Sequence, residues 1–215
     1  EGKTPSEISR KDEIMVGSKG LVSIAGGKLT TYRRMAERVV DLVVKDLERL
    51  QAVPARVAPC QTDQRPLAGG GSSSEGLQDL VMRLSDRHHG VAGDAVARVV
   101  ARYGTQGETV LNQIENDPEL GQPVAQGMDL LRAEVRYAIE HEMAFTIEDV
   151  LDRRAQLLLF STDQGLGAVE TVADMLTQRH RWSAARRQEE TARYRSLAES
   201  LLPGRNKQEP EKPRG

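Results

Sequence analysis

Leu21-Val22-Ser23-Ile24-Ala25-Gly26-Gly27-Lys28-Leu29-Thr30-Thr31-Tyr32-Arg33 is the stretch where the sequence changes its period. Upstream, Glu13-Ile14-Met15-Val16 and Leu21-Val22-Ser23-Ile24 are short β-prone runs flanking Gly17-Ser18-Lys19-Gly20, which reads as a four-residue hairpin loop. Gly26-Gly27 break the second strand. Downstream, Ala36, Val39, Val40, Val43, Val44, Leu47 and Leu50 recur at helical spacing and form one apolar stripe, with Thr30 as the expected N-cap. A strand that enters a double glycine and then a helix start points several backbone N–H groups at one spot. The helix dipole adds positive potential there, so this turn is a candidate anion site.

The turn is not a P-loop, which needs glycine where Val22 stands and Ser or Thr where Leu29 stands. The dinucleotide fingerprint G-x-G-x-x-G is also missing from the sequence. Gly69 and Gly71 would need glycine where Ser74 stands, and Gly165 and Gly167 would need it where Glu170 stands. The 215 residues therefore carry no self-contained nucleotide-binding half.

Residues 51–75 read as a flexible linker, interrupted by Pro54, Pro59 and Pro66 and ending in Gly69-Gly70-Gly71-Ser72-Ser73-Ser74. Cys60 lies within it as a bystander thiol. From 76 to 202 the pattern is helical, with helices expected over 77–86, 92–103, 106–115, 131–143, 146–160, 166–180 and 183–202. Thr105-Gln106-Gly107-Glu108 and Thr146-Ile147-Glu148-Asp149 fit the capping-box pattern at two of the starts. Residues 203–215 have three prolines and no apolar periodicity, and read as a disordered tail.

Composition narrows the function classes. Aromatics are 3% of the chain, too few for an aromatic-rich β-sandwich, and a net charge of −2 gives no global case for nucleic acid. A single cysteine excludes disulfide frameworks and multi-cysteine metal sites. No apolar run is long enough to span a bilayer. His141-Glu142 begins like a zinc-protease helix, but Phe145 stands where the second histidine is needed. His88-His89 fall at an expected helix end, and Trp182 in Arg179-His180-Arg181-Trp182 reads as a wedge at a helix junction. Arg179, Arg181, Arg186, Arg187, Arg193 and Arg195 interleave with Glu189, Glu190 and Glu199, so ion pairing on a solvated face is expected. The start Glu1-Gly2-Lys3-Thr4-Pro5 is neither a signal peptide nor an initiator and reads as that of a fragment or a processed chain.

Two segments carry a family resemblance. Ser6-Glu7-Ile8-Ser9-Arg10, followed by Gly20 through Glu37 with Gly26-Gly27-Lys28-Leu29-Thr30-Thr31-Tyr32-Arg33 at its centre, resembles FAD-dependent glycerol-3-phosphate dehydrogenases where their chain returns to complete the flavin domain. Leu131 through Ala144, Thr146 through Arg154, and Arg181-Trp182 resemble the helical C-terminal domain of that family. The resemblance spans roughly residues 5–200. It implies a mainly α fold: a short β-hairpin and helix (1–50) completing an FAD-binding α/β domain, then an α-helical bundle (76–202). Gly26, Gly27, Lys28, Leu29 and Thr30 would lie at the flavin ring, with Lys28 beside flavin and substrate. Arg10 would help bind the substrate phosphate, a task suited to its planar fork. The implied reaction takes a hydride from C2 of sn-glycerol 3-phosphate to FAD, giving dihydroxyacetone phosphate, with electrons passed to quinone. The expected location is cytoplasmic, peripheral on the inner face of the cell membrane, with a homodimer as a further implication. The family's Gly-rich fingerprint, other substrate arginines and general base would lie in further chain, so the 215 residues are expected to be inactive alone. Two alternatives stand beside this reading: a glycerol-3-phosphate oxidase using oxygen, and a non-catalytic helical interaction module.

Overall fold

The computed structural model describes residues 12–53 and 57–201. The chain divides into two compact units, Glu1–Leu67 and Ala68–Gly215. It is mainly helical with one two-stranded antiparallel sheet.

In the first unit, β1 (Glu13–Val16) pairs antiparallel with β2 (Val22–Ala25), matching Glu13 with Ala25 and Val16 with Val22. That register leaves a five-residue loop, one longer than the sequence suggests, closed by the Gly17 N–H donating to the Leu21 carbonyl at 2.8 Å. A 3-10 turn over Leu29–Thr31 then leads into α1 (Tyr32–Arg49). Thr31, not Thr30, flanks the helix, because the 3-10 turn takes Thr30 into its interior. The Thr31 hydroxyl donates to the Lys28 carbonyl at 2.8 Å instead of capping a helical N–H. Arg38 on α1 pairs with Asp12 beside the hairpin.

The apolar stripe of α1 forms as expected, yet α1 buries no residue. Among the described residues, every buried hydrophobic side chain lies between Leu80 and Ala198. Met15, Val16, Leu21, Ile24, Tyr32, Val40 and Leu50 of the first unit are all exposed.

The second unit holds the core. Ser73 caps α2 (Ser74–Arg87), its hydroxyl accepting the Gly76 N–H at 3.1 Å. The end of the expected Gly/Ser linker is therefore already helical. Next come α3 (Gly93–Tyr103), α4 (Gly107–Asn116), a 3-10 turn at Pro118–Gly121, and α5 (Arg132–His141). Thr105 does not cap α4; it sits in a 3-10 turn over Gly104–Gln106. The helix expected over 146–160 is instead interrupted. A π-helical segment spans Asp149–Arg154, Gln156 turns left-handed at φ 56°, and α6 is only Leu157–Phe160. α7 (Val169–His180) and α8 (Ala184–Ser200) complete the unit.

α5 is the central element. Its Ala133 and Tyr137 join Leu84, Val96, Val100, Val110 and Leu111 in one core cluster. Its Val135, Ala138 and Ile139 join Ile147, Leu151, Val172, Leu176 and Tyr194 in another. The long, mostly polar α8 is held by buried Tyr194, whose hydroxyl donates to the Gln164 carbonyl at 2.8 Å, and by ion pairs of Arg187 and Arg195 with Glu170. Gly69 and Gly104 approach so closely that a Cβ on Gly104 would lie 1.9 Å from the Gly69 carbonyl oxygen.

Candidate functional site

The turn at Gly26–Thr30 is built by conformations that side-chain-bearing residues avoid. Gly26 and Gly27 both have left-handed φ, +81° and +87°. A Cβ on Gly27 would also stand 2.6 Å from the sulfur of the flexible Met35 side chain, which could shift, so it is φ that demands glycine. The result is bare backbone leading directly into the 3-10 turn and α1. Lys28, in extended conformation, takes the Thr31 N–H on its carbonyl at 2.9 Å, leaving its side chain exposed. Leu29 is 87% exposed, an unusual position for a large apolar residue at a tight turn. Gly26, Lys28, Leu29 and Thr30 are exposed and Gly27 is half-buried, and these consecutive residues form one cradle. Arg10, the sixth expected site residue, lies outside the described residues.

This cradle can bind and polarise. Unpaired N–H groups at the start of a helix, with the helix dipole behind them and one lysine beside them, favour negative charge. The other charged groups nearby are engaged: Arg33 and Arg34 both pair with Glu37, at 3.0 and 2.9 Å, and Arg38 pairs with Asp12. The hydrogen bond from Arg34 is foremost in holding the Glu37 carboxyl below the usual carboxylate range. Residues 1–67 contain no histidine. Its candidate proton acceptors among the described residues are carboxylates, such as Asp12 and Glu37, and both of these are ion-paired.

In the second unit the sequence-flagged residues take structural roles. The imidazole Nε2 of His180 lies 3.1 Å from the Ala144 carbonyl, and its ring stacks between Phe145 and Trp182. Half-buried Trp182 packs on the core and carries the Arg186 guanidinium 5.9 Å above its ring. His141 stacks on Tyr137 at 4.7 Å. Arg153 pairs with Glu148 and Asp149, and Arg154 donates to the Glu142 carbonyl. Asp149 also forms a true capping box with Thr146: each backbone N–H donates to the other's side chain at 3.0 Å. Among the described residues, no helix is long and apolar enough to cross a membrane.

Sequence reasoning missed one pair. Glu134 is 1% exposed, accepts the Leu131 N–H at 2.8 Å and pairs with Arg102, 32 positions away. Burial pushes the Glu134 carboxyl up, even opposite that arginine. Nothing in local spacing reveals a partner so distant in the chain; only a glutamate on the apolar face of a helix hinted at it.

Comparison with known proteins is consistent across sequence and structure. The chain is 34% identical over 209 residues to aerobic glycerol-3-phosphate dehydrogenase of Staphylococcus haemolyticus, covering 95% of this chain and 36% of that protein. The enzyme of the same name from Bacillus subtilis is 34% identical over 201 residues, covering 92% of this chain and 36% of that protein. The X-ray structure of glycerol-3-phosphate dehydrogenase from Bacillus halodurans, complexed with FAD, superposes with a TM-score of 0.66 at 31% identity. It covers 87% of this chain and 36% of that one. The chain thus spans about a third of the length of the relatives it matches. Residues 60–187, more than half of the sequence, match the family described as the C-terminal domain of alpha-glycerophosphate oxidase. The chain belongs to that family.

Proposed function

We propose that these 215 residues are the C-terminal portion of a flavoenzyme that oxidises sn-glycerol 3-phosphate to dihydroxyacetone phosphate. The observation that carries this reading is the first unit: a helix with an apolar stripe, a hairpin with exposed Met15, Val16 and Leu21, and no buried core among the described residues. Such a unit is stable only when its apolar face is covered. Relatives nearly three times as long supply the chain that would cover it. Residues 1–50 are then a piece of the FAD and substrate domain, 51–75 the connection, and 76–202 the helical C-terminal domain.

The cradle fits the flavin on chemical grounds. Its backbone carries no Cβ at Gly26 or Gly27, and its N–H groups sit at a helix start, where a developing negative charge is favoured. When bound, FAD supplies the hydride acceptor for C2 of the substrate. Gly26, Gly27, Leu29 and Thr30 would hold the ring edge through backbone. Lys28 would place positive charge beside the flavin and substrate, and Arg10 would take the phosphate. Quinone as the final acceptor, docking at the inner face of the cell membrane and a homodimeric state belong to the same proposal.

The test uses both the 215-residue chain and a full-length enzyme containing it. The chain alone, mixed with FAD and passed through gel filtration, should lose its flavin absorbance; yellow protein would refute its incompleteness. In the full-length enzyme, Lys28→Ala and Arg10→Ala should both cut turnover with glycerol 3-phosphate, Arg10→Ala chiefly through KM. Unchanged kinetics in both would show the cradle is misassigned. Oxygen uptake measured with and without added quinone separates a dehydrogenase from the oxidase alternative, and a pelleting assay with vesicles tests membrane docking.

A further inference from the structure

A cleft of about 440 Å³ lies in the second unit between the Pro118–Gly121 turn, α5 and α7. Its floor is apolar, made by Leu120, Ile139 and Met175, and four arginines line it: Arg132, Arg136, Arg179 and Arg181. A volume of this size suits a small molecule rather than a peptide.

Two features of these arginines are not explained by surface ion pairing. Arg181 closes α7 at φ 54° and ψ 46°, its own N–H and that of Trp182 both donating to the Thr177 carbonyl. Glycine closes a helix this way without steric cost, whereas arginine does so under strain. Arg132 has a buried Nε without a hydrogen-bond partner among the described residues. The carboxylates that face the group are displaceable. Glu119, at 3.2 Å from Arg132, is 77% exposed, and Asp117 lies 3.8 Å from Arg136 at the rim. Glu140, shared between Arg136 and Arg179, keeps 27% of its side chain exposed. Arg181 has no ion pair among the described residues.

We infer that this cleft binds a phosphomonoester carrying a small apolar body. The dianion displaces the Glu119 and Asp117 carboxylates from Arg132 and Arg136, meets Arg181, and lays its apolar part on Leu120, Ile139 and Met175. Guanidinium forks match phosphate oxygens bidentately, and exposed ion pairs are readily exchanged for a dianion. This inference does not rest on the proposed enzymatic activity.

The decisive variant is Arg181→Gly, which relieves the backbone and removes the whole side chain, guanidinium included. Phenyl phosphate, inorganic phosphate and vesicles containing phosphatidic acid are titrated against the whole 215-residue chain, followed by calorimetry or pelleting and by circular dichroism. The first probe carries the apolar body, the second tests the phosphate alone, and the third tests a lipid source. Saturable binding of phenyl phosphate or the vesicles, weakened about tenfold in a folded Arg181→Gly, is expected. Binding that is absent up to about 10 mM, or equal in wild type and Arg181→Gly, overturns the proposal.

Discussion

The Arg102–Glu134 pair permits a prediction with both magnitude and sign. Removing one partner of a fully buried pair costs about 3–5 kcal/mol, because the other charge is left uncompensated. Here Glu134 is 1% exposed but Arg102 is 34% exposed, so water reaches and screens part of the interaction. Arg102→Met is therefore expected to destabilise the second unit by about 2–3 kcal/mol. For a unit of this size that is a fall in Tm of roughly 4–12 °C. The loss must depend on pH. Burial holds the Glu134 carboxyl above its ordinary value, so the folded state binds its proton more tightly than the unfolded chain does. Stability from this group is thus full below the ordinary carboxylate value and is lost as pH rises toward the raised folded one. Without Arg102 the folded value rises further, so the deficit relative to wild type should be small near pH 4 and full at pH 8. Glu134→Gln in the Arg102→Met background removes the charge and should recover much of the loss at pH 8. Urea unfolding of the wild type, both single variants and the double variant, at each pH, checks this. A deficit equal at both pH values, or a double variant no better than Arg102→Met at pH 8, would refute the reasoning.

Two further outcomes follow from local geometry. Gly104→Ala puts a Cβ at 1.9 Å from the Gly69 carbonyl oxygen at a left-handed φ, and threatens the 2.9 Å hydrogen bond from the Thr105 N–H to that oxygen. It should cost about 3 kcal/mol, while Gly93→Ala, with nothing within 4 Å, should gain about 0.5–1 kcal/mol; differential scanning calorimetry of the pair reads both. Burial raises the Asp149 carboxyl, but the Phe145 and Thr146 N–H groups and Arg153 outweigh it and hold it below the usual range. Its stabilisation is present above the ordinary carboxylate value and lost as pH falls through the folded one. Asp149→Asn should therefore cost about 1 kcal/mol at pH 7 and flatten the acid side of the stability profile measured by chemical unfolding.

The sequence is most legible where structure is local. Helical periodicity gives the positions of α2, α3, α4, α5, α7 and α8 to within a few residues, because a stripe at i, i+3 and i+4 is written in consecutive positions. It fails over 146–160, where an unbroken apolar pattern hides a π-helical segment and the left-handed Gln156. Those depend on how Asp149, Arg153 and Arg154 are satisfied by Phe145, Glu148 and Glu142. Capping shows the same division: Thr146 caps as its pattern implies, whereas Thr105 is drawn into a turn fixed by the meeting of Gly69 and Gly104.

By itself, then, the sequence determined the hairpin, the glycine turn at Gly26–Thr30 and a mainly helical remainder, since turn chemistry and periodicity act over neighbours. Its motifs also carried the family resemblance that sequence and structural comparison bear out. Only the tertiary structure decided what is buried. It shows that the stripe of α1 finds no core, that Glu134 reaches Arg102 across 32 positions, and that Arg132 and Arg181 share one cleft. Burial and long-range pairing depend on which faces meet, and no spacing along the chain encodes that directly.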